Sequence, residues 1–96
     1  MPELILSPEA EQDLIDIWSY IADDSLVNAD HYIDKIYDKT VILSENPEVG
    51  SERYDLISEM QCFPVDKYIL YYRKIHNGVE IIRVLHASRD MNLIFD

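Results

Sequence analysis

The hydrophobic period of this chain changes twice along its length. Residues 3–6 form a short apolar run that stops at Ser7-Pro8 and predicts a first strand. From Ala10 the spacing becomes helical, with Ala10, Leu14, Ile17, Trp18 and Ile21 on one side and Gln12, Asp13, Asp16 and Ser19 on the other. Ser7 as N-cap, Pro8 at the first helical position and Glu9 and Glu11 in the first turn predict a helix over 8–22. A second stripe of Ala29, Tyr32, Ile33, Ile36, Tyr37, Thr40 and Leu43 predicts a helix over 28–45, capped by Asn28 and stopped by Asn46-Pro47. The short linker makes the two helices antiparallel neighbours.

Beyond them the pattern turns to strands. Residues 47–55 predict a loop with a turn at Gly50, and 56–63 a strand that Pro64 ends. Residues 67–90, KYILYYRKIHNGVEIIRVLHASRD, place two β-rich runs around Asn77-Gly78 and predict a hairpin over 68–86. A two-residue loop sets Lys74 opposite Ile81. A three-residue loop with Gly78 in a bulge sets Lys74 opposite Glu80, Tyr72 opposite Ile82 and Leu70 opposite Val84, and its opposite-charge pair favours it. Apolar residues on both faces of these strands predict cover on both sides. Residues 91–95 predict a last short strand or helical turn. The order predicts one α+β domain over 1–96, an N-terminal helix hairpin packed on an antiparallel β-sheet. Leu14, Ile17, Trp18, Ile21, Ile33, Ile36, Tyr37 and Leu43 are its expected helix-side core.

Charge changes the picture more than composition does. The net charge of −11 argues against sequence-blind nucleic-acid binding. Lys67, Arg73, Lys74, Arg83 and Arg89, opposed only by Glu80, give 67–89 a net +4 and leave −15 for the rest: a basic hairpin on an acidic body. One cysteine, Cys62, excludes an internal disulfide and reads as a small buried hydrophobe. No residue pattern suggests a metal or cofactor. The opening MPELILSPEAEQ has no basic n-region and only a short apolar run, so neither a signal peptide nor a membrane span is expected, and the expected location is the cytoplasm.

Four stretches carry a resemblance: SPEAEQDL, NPEVG, CFPVDKYILYY and, most specifically, EIIRVLHASRD. Together they resemble the ParE branch of the RelE/ParE superfamily of bacterial toxins from toxin-antitoxin modules, over nearly the whole chain. The resemblance implies a small αβ toxin neutralised by a ParD-like antitoxin in a hetero-oligomer. It also implies one of two targets: DNA gyrase for ParE-type members, or messenger RNA cut on the ribosome for RelE-type members.

An RNA-cutting site needs cations to hold phosphate and a proton shuttle beside the attacking hydroxyl. The candidates are Arg73, Arg83, His86 and Arg89, with Tyr72 nearby. In RelE-like nucleases the acid-base group, a Tyr or His-Tyr pair, sits near the C-terminus, where this chain has Phe95 and Asp96. His86 reads first as a cap on the Ser88-Arg89-Asp90 turn. The favoured expectation is gyrase inhibition by direct binding without catalysis, through Lys67, Arg73, Lys74, Arg83 and Arg89 with the segment 91–96. Antitoxin contacts are expected at Trp18, Tyr72, Ile82 and Val84. The alternatives are the ribonuclease and an inactive relative that only binds antitoxin.

Overall fold

The computed structural model describes residues 2–56 and 58–89, so the expectations placed on 91–96 and on Asp90 lie outside the described residues. In chain order the elements are β1 (Glu3–Leu6), α1 (Pro8–Ala22), α2 (Leu26–Glu45), a 3-10 turn (Pro47–Val49), β2 (Ser51–Glu52), β3 (Gln61–Val65), β4 (Tyr68–Ile75) and β5 (Gly78–His86). The sheet order is β1-β5-β4-β3-β2. The expected helix hairpin lies on the expected sheet. The sheet is antiparallel from β2 to β5, and β1 joins β5 in parallel, making it mixed. That parallel pairing leaves no turn in the sequence to announce it. Gly78 permits it by close approach, because a Cβ there would run into the Glu3 carbonyl.

Helix α1 begins as expected. Ser7 Oγ accepts from Ala10 N–H (3.0 Å) and donates to the Ile82 carbonyl (2.7 Å), so one hydroxyl caps the helix and ties it to β5. Helix α2 begins earlier than expected, because Ser25 is the cap, accepting from Asn28 N–H, while Asn28 lies inside the first turn. Trp18 Nε1 donates to Asp30 Oδ1 (2.8 Å) across the hairpin.

Between the helices and the sheet, Ala10, Ile17, Ile36, Leu43, Val65, Leu70, Tyr72, Val79, Ile81 and Val84 form the main core. Leu14, Ile21 and Ile33 pack against it, but Tyr37 is half exposed and leaves the expected list. The opposite sheet face carries a smaller cluster of Met60, Tyr71 and Leu85, flanked by Leu56, Cys62, Ile69 and Ile82. The segment before β3 therefore supplies part of the cover expected on that face.

The hairpin register is half as expected. Leu70 pairs with Val84, but a bulge follows: Tyr71 faces Arg83 and Tyr72 faces Ile81, leaving Ile82 as the extra residue. Nearer the turn, Arg73 rather than Lys74 faces Glu80, and Ile75 faces Gly78. Pro64 sits inside β3 rather than ending it. This is tolerated because β2 pairs only with Gln61 and Cys62, so β3 is an edge strand at Pro64.

Candidate functional site

Where β1 ends, the margin of β5 is taken over by α1. Asp13 Oδ2 accepts from Val84 N–H (2.9 Å), taking the place of a neighbouring strand. The same carboxylate receives Arg83 in a fork, Nε to Oδ2 at 2.8 Å and Nη2 to Oδ1 at 2.9 Å. Asp13, expected on the polar face of α1, is thus buried, and this hydrogen bond raises the Arg83 pKa above its ordinary value. Arg83 is occupied inside the fold.

The other cations divide in the same way. Arg73 is bound to Glu80 (2.8 Å) and Lys74 to Glu48 (2.6 Å), both at the turn end of the hairpin. Lys67 and Arg89 lie at the opposite end and form no ion pair among the described residues. Tyr68, which pairs with His86, and Arg73 are five residues apart on one strand, or about 17 Å. The five expected target-binding residues are therefore not one strip. Nor does Arg73 converge on His86 and Arg89, and Arg83 is held by Asp13.

His86 caps its turn: Ser88 N–H donates to Nδ1 (3.1 Å) and Ser88 Oγ lies 2.8 Å from the same nitrogen. Because a backbone N–H can only donate, Nδ1 is the acceptor and the ring proton is on Nε2. Tyr68 packs edge-on against the His86 ring, centroids 5.4 Å apart. Tyr20, projecting from the last turns of α1, and Lys67 complete an open pocket of about 310 Å³.

The expected antitoxin contacts also separate. Tyr72 and Val84 are buried in the main core, and the Tyr72 hydroxyl donates to the Pro47 carbonyl (2.8 Å) while accepting from Gly50 N–H (2.9 Å). Gly50 is required there by space, since a Cβ would strike that hydroxyl. Ile82 lies on the opposite sheet face. Trp18 borders a groove of about 220 Å³ with open apolar surface, lined with Leu14, Ile15 and Ile33. Ile15, absent from the sequence expectations, is 56% exposed and is the one strongly apolar residue on the outer face of α1, which is the signal that marks it. Among the described residues no helix is long and apolar enough to cross a membrane, and no cluster of three or more His, Cys, Asp or Glu is arranged to hold a metal ion.

A helix hairpin over a mixed five-stranded sheet is the fold of a chain from the chromosomal ParDE TA system of P. aeruginosa. That chain matches with a TM-score of 0.77 at 16% identity, over 92% of this chain and 98% of that one. Sequence then gives the family. The family of ParE toxins of type II toxin-antitoxin systems, parDE, matches residues 4–91, and the chain belongs to it. No curated protein matches this chain.

Proposed function

We propose that this ParE-family chain arrests growth by binding DNA gyrase in the cytoplasm, and that a ParD-like antitoxin silences it by laying an amphipathic segment along the groove at Ile15 and Trp18. The observation that carries binding over RNA cleavage is the distribution of cations. Arg73 and Arg83 are engaged by Glu80 and Asp13, and His86 holds a turn through Nδ1, so the four residues a ribonuclease would use are not gathered around one phosphate. The acidic body favours a protein target further, since an RNA strand brings one charge per nucleotide.

The experiment is induction of the chain in a host without antitoxin, with chromosomal DNA and messenger RNA examined together. Cleaved DNA beside intact messages is the expected result. Messages broken at the ribosome, abolished by His86→Gln alone, would replace this reading with the ribonuclease. Absence of arrest would leave an inactive antitoxin-binding relative.

A further inference from the structure

One end of the sheet carries an open aromatic surface beside the core. Here Tyr68 at the start of β4 pairs with His86 at the end of β5, and Ala87 N–H closes the margin onto the Lys67 carbonyl (2.8 Å). Tyr20 hangs over it from α1 and is 76% exposed. Tyr20, Tyr68 and His86 form a wall shared by two pockets. The first, of about 310 Å³, adds Lys67 and has no carboxylate in its lining among the described residues. The second, of about 200 Å³, has a floor that includes Ile17 and Val84, with Arg89 at its side. Of its two acidic residues Asp13 is paired with Arg83 and Val84, while Asp16, at the exposed rim, accepts only from the neutral Gln12 amide (2.9 Å) and keeps its charge.

The chemistry of the pair is asymmetric. Lys67 and the His86 Nε2–H are donors with nothing of opposite charge beside them in the first pocket among the described residues, while the second offers apolar floor. A carboxylate fits the one and an aliphatic side chain the other, as neighbouring residues of an extended peptide present them. A nucleic-acid strand, with one charge per nucleotide, would meet the ten carboxylates and two lysines of residues 8–45 along its length, whereas a peptide brings a single carboxylate to the first pocket. We propose that this end of the sheet is the recognition site for an acidic-apolar peptide segment of the target protein. A carboxylate enters between Lys67 and His86, and the adjacent apolar side chain rests over Ile17 and Val84 beside Arg89. This rests on the reading of the chain as a target-binding toxin and names the chemistry of the contact.

The test is an NMR titration of the isotope-labelled chain with acetyl-Leu-Glu-Leu-amide, with the same peptide carrying Gln for Glu, and with a six-nucleotide oligothymidylate. Shifts at Tyr20, Lys67, Tyr68, His86 and Arg89 are expected with the acidic peptide. Loss of the charge should weaken binding about tenfold, as for a hydrogen bond to a charged group. The double variant Lys67→Ala, Arg89→Ala, whose dispersed spectrum reports its folding, should lose the response. Equal binding of the Gln peptide, shifts with the oligonucleotide alone, or no shift with either ligand would each overturn the proposal. Growth arrest by the wild-type chain separates the two readings: arrest with a silent titration removes this site and keeps the toxin, and a positive titration without arrest does the reverse.

Discussion

Asp13 joins three groups that otherwise have no common partner: helix α1, the open margin of β5 and the Arg83 guanidinium. Replacing it by Ala leaves the Val84 N–H and a largely covered cation without an acceptor, and should lower stability by about 3 kcal/mol, read from the denaturant midpoint. An unchanged midpoint would mean that solvent satisfies both. For the same reason Arg83→Glu sets two carboxylates together, so it disturbs folding and is no clean probe of target binding. The sequence could not mark Asp13, because a carboxylate that caps a strand edge occupies the same helical face as one in water. Tyrosines were easier to see than to place. Tyr32, Tyr68, Tyr71 and Tyr72 all have pKa values raised above the ordinary 10.0, chiefly by burial. Their stabilising effect is full below pH 10.0 and is lost as pH rises from there through the folded values, since the unfolded chain releases these protons first. Alkaline unfolding should therefore accompany ionisation of these four rings, followed residue by residue in NMR spectra because Tyr20, Tyr37 and Tyr54 are exposed. Ionisation of all four ahead of unfolding would contradict this.

At the scale of elements, local signals governed what was legible. Helix α1 was legible at both ends because its cap, its Pro and its acidic first turn lie together in the chain. The start of α2 was not, since Ser25 and Asn28 are both good caps and only the hydrogen bond distinguishes them. Ser25→Ala should cost about 1 kcal/mol and Asn28→Ala markedly less, by thermal or chemical denaturation. The reverse order would restore Asn28 as the cap. The β4-β5 hairpin was visible from its composition, but its register depends on the bulge at Ile82, which the ties from α1 to β5 at Ile82, Arg83 and Val84 accompany. Strand β1 found its partner 75 residues away, at Gly78, so no neighbouring residue could reveal its direction.

For the whole molecule, the separation of acidic body and basic hairpin was legible, but the use of the basic charge was not. Counting charges treats five cations as one strip, whereas ion pairing with Asp13, Glu48 and Glu80 leaves Lys67 and Arg89 at one end. The helix layer presents the groove at Ile15 and Trp18 on another side, so the proposed antitoxin and target contacts are separable by mutation. Ile15→Lys, at a half-exposed position, should change stability by no more than about 0.5 kcal/mol while weakening antitoxin capture in a pull-down. Full capture would move the antitoxin elsewhere. Target binding should be the more salt-sensitive function, because the contacts proposed for it, Lys67 and Arg89, are charged and exposed. The most direct measurement is supercoiling of relaxed plasmid by purified gyrase with and without the chain. The account predicts loss of supercoiling in its presence, recovery on adding ParD-like antitoxin, and no loss with the Lys67→Ala, Arg89→Ala variant; undiminished supercoiling at saturating wild-type chain would contradict it.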